Sequence, residues 1–200
     1  MSRLIRKLVQ NQTAFFLCDM QEAFRPNVKY FAEITENCRR LLEGAKILEI
    51  PVVVTEQVGY PKGLKHTVKE LDISSAAGVF DKTVFSMVIP ETEKLMSTMC
   101  DKKLQTVVLF GIEAHVCILH TALDLRAKDY EVHVVADGVS SRSLSDRALA
   151  FERLKQAGCI MTSAETVLME LLGSKDHPQF KAVQKLVLDR APDTGLYQTS

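Results

Sequence analysis

No stretch of this chain reaches the roughly 18 consecutive apolar residues of a membrane span, and no secretory signal opens it, so no membrane partner is expected. Charge of one sign is missing as well. The 25 basic and 25 acidic residues cancel without a basic block, which argues against nucleic acid or an anionic lipid surface as a partner. Paired cysteines are absent too. Cys18, Cys38, Cys100, Cys117 and Cys159 are odd in number, widely spaced and without any CxxC, which excludes a disulfide framework or a zinc knuckle and indicates a reducing compartment. No internal repeat, low-complexity stretch or linker divides the sequence, so residues 1–200 are read as one globular domain. A small ligand, uncharged or of mixed charge, fits this balance best.

With 200 residues, 46% of them hydrophobic, a chain of this kind buries about 70% of the surface it exposes when unfolded. The start, MSRLIRKLVQNQTAFFLCDM, is basic and lacks acid until Asp19, a trait of mitochondrial presequences. The apolar run from Ala14 already reads as a core strand, so the expected compartment is cytoplasmic, with the mitochondrion as the alternative.

Short apolar runs alternate with segments of helical period. TAFFLC (13–18), VVVTE (52–56), TVVLFG (106–111), EVHVVA (131–136) and CIMT (159–162) read as strands. Such continuous runs separated by helices predict an α/β, three-layer fold. Its mainly parallel sheet of five or six strands should carry helices on both faces. Ile34, Cys38, Leu41, Leu42, Ala45 and Leu48 mark the first crossover helix, which ends before Pro51. Further helices start near Pro90, at about His115, and after SSRSLSDRA; another follows a capping box at Thr162–Glu165, and QFKAVQKLVL (179–188) is the last. The tail from about 190 to 200 reads as loose or partner-bound, and 57–90 as one long irregular region.

In open parallel sheets ligands bind beyond the carboxyl ends of the strands. Asp19 ends the first strand, Lys82 lies in the irregular VFDKTVFS, and Cys117 follows TVVLFG at the first turn of its helix. A thiol at a helix N-terminus sees about half a positive charge, which favours the thiolate nucleophile. Cys18, Cys38 and Cys159 read as packing residues, and Cys100 as a partly exposed one. A cysteine hydrolase needs a base for the thiol proton and a cation to hold that base ionised; aspartate with lysine can supply both.

Together DMQEAF, FDKTVFS, TEQVGYPKGL, GIEAHVCI and DGVSSRS resemble the isochorismatase-like cysteine hydrolase family, which includes nicotinamidases and carbamoylsarcosine amidase. The resemblance covers nearly the whole chain. It implies a catalytic triad of Asp19, Lys82 and Cys117, a cis peptide between Ile112 and Glu113, and an oxyanion hole built from the backbone N–H groups of Glu113 and Cys117. Phe24 matches a pocket aromatic of the family; Tyr60, Phe85, Ile112 and His115 are further candidates for the substrate wall. Where metal-dependent relatives carry an Asp-x-His pair this chain has Glu56 and Gln57, so no metal and no cofactor are expected. The five histidines form no spacing that demands a metal. The implied activity is hydrolysis of an amide-type C–N bond in a small molecule through a covalent acyl-enzyme, by a homo-oligomer of two or more copies. The apolar 164–188 region adds to that last expectation. Two rivals stand beside this reading: a non-catalytic binding or scaffold protein that keeps the pocket, and a redox-sensing Cys117, disfavoured because no resolving cysteine lies near it in the sequence.

Overall fold

The computed structural model describes residues 7–188. Both the basic start and the expected tail at 190–200 lie largely or wholly outside them. The strands are β1 (Thr13–Cys18), β2 (Val52–Gln57), β3 (Gly78–Lys82), β4 (Thr106–Ile112), β5 (Glu131–Ser140) and β6 (Ile160–Thr162). The helices are α1 (Phe31–Ile47), α2 (Pro90–Met96), α3 (Leu119–Ala127), α4 (Leu144–Gln156), α5 (Ala164–Leu172) and α6 (Phe180–Val187). Every strand pairing is parallel, in the order β3-β2-β1-β4-β5-β6. The chain builds outward from β1 to β3 and then returns to the other side of β1 for β4. That reversal opens a crevice at the carboxyl ends of β1 and β4.

The central strands are apolar on both faces because both are covered. β1, β2 and β4 are buried along their whole length, and Phe15 meets Phe110 edge to face at 5.9 Å. On one side α1 packs with α5 and α6, and α3 packs with α4 in the other layer. At Gly44 a Cβ would collide with the Leu168 side chain, so the missing side chain sets how closely α1 and α5 approach. Val167, Leu168, Leu171, Leu172 and Val183 of the 164–188 region are buried within the chain itself, while Leu188 at its end is exposed, as are Leu144 and Leu149 of α4. Among the described residues no helix is long and apolar enough to cross a membrane.

Several boundaries differ from the sequence reading, among them those at Lys82, at the end of β5 and at the start of α5. Lys82 is not in a loop but closes β3, which pairs with β2 from Val53–Gly78 to Gln57–Lys82. As an edge strand with Val79 and Asp81 exposed, β3 has no continuous apolar run to betray it. β5 runs four residues further than expected, to Ser140, past a register irregularity opposite Leu109 and Gly111. The cap of α5 is Ser163, accepting from Thr166 N–H, one residue on from the expected box.

Candidate active site

Asp19 leaves β1 with a left-handed φ of 50°, a conformation that aspartate tolerates better than most residues. Its backbone N–H donates to Thr55 O at 3.1 Å, which turns the carboxylate back toward β2. There Oδ1 accepts from Thr55 Oγ1 at 2.8 Å and Oδ2 from Lys82 Nζ at 2.7 Å. Lys82 arrives from β3, two strands away, and its ammonium also donates to Gln57 Oε1 at 2.6 Å and to Val84 O at 3.3 Å. The same nitrogen lies 3.5 Å from Cys117 Sγ.

Cys117 comes from the far side of the crevice. Gly111 in β4 has a φ of +115°, and a Cβ there would run into the Cys18 backbone, so only glycine lets the two chains pass this closely. The Ile112–Glu113 peptide that follows is cis. Residues Ala114–Ile118 then form a π-helical turn, where an ordinary helix start was expected, and this turn runs into α3. Val116 and Ile118 both donate their N–H to Glu113 O. Asp19, Lys82 and Cys117 are 1%, 3% and 8% exposed, so the charged pair is shielded from water while the thiol keeps an opening.

Burial pushes the Asp19 carboxyl above the ordinary carboxylate range, against the pull of Lys82 and Thr55. Burial alone would lower the Lys82 ammonium, but the charges of Cys18, Asp19 and Cys117 outweigh it and hold the ammonium protonated above its usual value. The pair is thus a charged lysine beside a carboxylate with raised affinity for a proton.

A cavity of about 190 Å³ opens onto this cluster, lined by Phe24, Tyr60, Phe85, Ile112 and Val116 with Asp19, Gln57, Glu113, Cys117 and Arg142. Of the expected wall residues four are present. His115 is not among them: its Nδ1 pairs with Ser141 Oγ at 3.0 Å, tying the π turn to the loop after β5. Gln57, Val116 and Arg142 were missed. Arg142 lies in the quoted DGVSSRS, but nothing in that string shows that its guanidinium pairs with Glu113 Oε1 at 2.6 Å. Burial would raise the Glu113 carboxyl; the Arg142 side chain and backbone N–H outweigh it and hold the group below the ordinary range. A larger depression of about 770 Å³, lined by Lys7, Ser163, Glu165 and others near α5, contains none of Asp19, Lys82 and Cys117; its wide mouth offers no enclosed surface for chemistry.

The sequence reading also placed no second thiol near Cys117. In the fold, Cys18 Sγ, an Asp19 carboxylate oxygen and Cys117 Sγ lie within 4.8 Å of one another. Those atoms could in principle ligate a metal, yet Lys82 already places a cation against two of them. Glu56 and Gln57, at the positions of the metal-binding pair in other hydrolases, are engaged otherwise. Glu56 accepts from Thr67 N–H at 2.7 Å and pairs with His66 Nδ1 at 2.9 Å, and Gln57 holds Lys82.

The C. elegans structure titled "MAR1 Ribonuclease" superposes with a TM-score of 0.89 and is 51% identical, covering 98% of this chain and 99% of that one. Isochorismatase domain-containing protein 2 of Xenopus laevis is 48% identical over 194 residues, 97% of this chain and 92% of the relative. Isochorismatase domain-containing protein 1 of Danio rerio is 53% identical over 184 residues, 92% of this chain; the match spans 64% of that relative's length. The isochorismatase domain profile matches residues 13–166, from the first residue of β1 into α5. By sequence, by fold and by the span of that match, the chain belongs to the isochorismatase domain family.

Proposed function

We propose that the protein is a cysteine hydrolase cleaving the amide-type C–N bond of a small molecule. The observation that carries this is the buried Asp19–Lys82 pair set against Cys117 at the floor of a cavity. Asp19 takes the Cys117 proton, and the sulfur attacks the carbonyl carbon. The backbone N–H groups of Glu113 and Cys117 donate to the developing oxyanion, an arrangement worth about 3 kcal/mol per donor in other hydrolases. Protonated Asp19 then returns its proton to the leaving amine, which departs and leaves an acyl-enzyme. Asp19 then deprotonates a water, whose oxygen attacks the thioester carbonyl; the C–S bond breaks, the acid product leaves, and the Cys117 sulfur recovers the proton from Asp19. Throughout, Lys82 keeps its charge beside whichever group is anionic.

The cavity favours a compact substrate, since about 190 Å³ is well below the roughly 300–1,000 Å³ of sites for drug-sized ligands. Its walls are mostly apolar, and the charges of Glu113 and Arg142 cancel at the rim. No cofactor is needed for these steps. Homo-oligomerisation belongs to the same proposal, with light scattering as its check. Mass spectrometry after incubation with a panel of small amides is the decisive experiment for the chemistry: a substrate-dependent acyl mass on Cys117, absent from Cys117→Ser, supports it. No adduct and no released amine across the panel would leave the rival of a binding protein. RNA is a second reading because the C. elegans neighbour is titled a ribonuclease. The neutral net charge, and a cavity guanidinium already bound by Glu113, support it less; cleavage of an RNA oligonucleotide by wild type but not by Asp19→Asn would establish it.

A further inference from the structure

We propose that Cys18 and Cys117 form a dithiol oxidation site, in which a hydroperoxide oxidises Cys117 and Cys18 resolves it to a reversible disulfide. The inference rests on the placement of the two thiols beside Asp19 and does not require amide turnover. Cys18 ends β1 and faces Gly111 across the β1–β4 pairing, while Cys117 sits in the π turn that begins just after β4. The absent side chain at Gly111 brings these two segments together, and the sulfurs lie within 4.8 Å. Closing that gap to the roughly 2.05 Å of a disulfide takes side-chain rotation and a small shift of the turn.

The two thiols differ in access, and that difference orders the reaction. Cys117 lines the cavity and is 8% exposed; Cys18 is fully buried and does not line it. A hydroperoxide therefore meets Cys117 first. Asp19 takes the Cys117 proton and the thiolate attacks the peroxide's terminal oxygen; the S–O bond forms, the O–O bond breaks, and the departing alkoxide takes that proton back from Asp19. Cys117 is now a sulfenic acid and the peroxide has been reduced to an alcohol or water. Cys18 next gives its proton to Asp19, which lies within the same 4.8 Å cluster, and its sulfur attacks Cys117. The S–S bond forms, the S–O bond breaks, and the hydroxide leaves as water with the proton from Asp19. Two thiols and one hydroperoxide thus give one disulfide, one alcohol and one water.

Burial raises the Cys18 thiol well above its ordinary range, aided by contact with Cys117 and by the charge of Asp19. Cys18 is therefore a poor nucleophile toward solvent species, and its reaction depends on the adjacent base and on an already oxidised neighbour. The remaining thiols are placed differently: Cys38 Sγ donates to Gly138 O and Cys100 Sγ to Thr13 O, both at 3.6 Å.

The test is peptide mapping of the full-length protein after brief exposure to hydrogen peroxide, with free thiols then alkylated and digestion done without reductant. The expected product is one cross-linked species joining the Cys18 and Cys117 peptides, two hydrogens lighter than their sum and fully reversed by dithiothreitol. In Cys18→Ala the same exposure should carry Cys117 on to sulfinic acid, and the fraction recovered by reductant should fall from nearly all to nearly none. Cys117 sulfinic acid in the wild type with Cys18 still free, or no oxidation of Cys117, overturns the proposal. Should Cys18→Ala fold poorly, the wild-type map decides alone. Amide turnover is measured on the reduced protein, so this proposal and the hydrolase reading can fail separately.

Discussion

Asp19 and Asp137 invite comparison. Both lie toward the carboxyl edge of the same parallel sheet, both are lifted above the ordinary carboxylate range by burial, and each borders a small cavity, of about 190 and 250 Å³. Their partners separate them. Asp19 faces an ammonium and a thiol from two other strands' ends, whereas Asp137 Oδ1 accepts from Ala164 N–H at 2.9 Å at the start of α5. Arg147 and Arg40 act on Asp137 through their charges, and Cys38 lies near enough to feel it, but none of the three lines the second cavity, which holds Ala136, Met161, Thr162 and Ser163. A buried aspartate thus becomes a candidate base by what converges on it. Glu113, at the same edge, completes the lesson: it too is buried, yet Arg142 holds it ionised, so the sign of the shift follows the strength of the partner and not depth alone.

The largest expected effect breaks this comparison most directly. Asp19→Asn should lower kcat/KM on a substrate found by the panel by about 10²–10⁴-fold, the usual worth of a general base. Asp137→Ala should leave turnover unchanged and cost about 1–2 kcal/mol of stability in urea, because the Ala164 N–H at the start of α5 loses its acceptor. Equal losses of activity in both variants would erase the distinction. Next in size, Lys82→Met should slow iodoacetamide labelling of Cys117 by about tenfold or more, because the cation supports the anionic sulfur. Peptide-resolved rates should also place wild-type Cys117 ahead of Cys18, Cys38 and Cys159; uniformly slow labelling would end the nucleophile assignment.

The pH dependence sharpens the contrast further. Asp19 works as a base only when deprotonated, so activity is present above its folded pKa and lost below it. Because burial raises that value above the ordinary 3.8, the acid limb of kcat/KM should fall at a higher pH than for an exposed aspartate. The smallest effect concerns Glu113, whose folded pKa is depressed. Its pairing with Arg142 contributes stability that is present above the ordinary value of 4.5 and lost as pH falls below that toward the lowered folded value. Urea midpoints of wild type and Glu113→Gln between pH 7 and 3 should converge on the acid side.

Much of this was legible in the sequence where the signal was local. The runs TAFFLC and TVVLFG announce strands buried on both faces, and the order of DMQEAF, FDKTVFS and GIEAHVCI carried Asp19, Lys82 and Cys117. β3 escaped because an edge strand needs no continuous apolar run, so Lys82 was found by its motif while its strand was not. Gln57, Arg142 and the approach of Cys18 escaped because they depend on which strands become neighbours and where side chains point, which no local spacing records. His115 was misplaced for the same reason: its ring is spent on Ser141.

Lys82 also ties the site to the margin of the sheet. β3 is bonded to β2 alone, and alternate residues along it are exposed. Edge strands open more readily than the strands they flank, on free-energy scales below that of global unfolding. Each such opening withdraws the ammonium from Asp19 and leaves an uncompensated buried carboxylate that must take up a proton. Under the proposed mechanism the lifetime of a working site is then the lifetime of one short strand, and amide hydrogen exchange along Gly78–Lys82 becomes a clock for how long Lys82 stays beside Asp19.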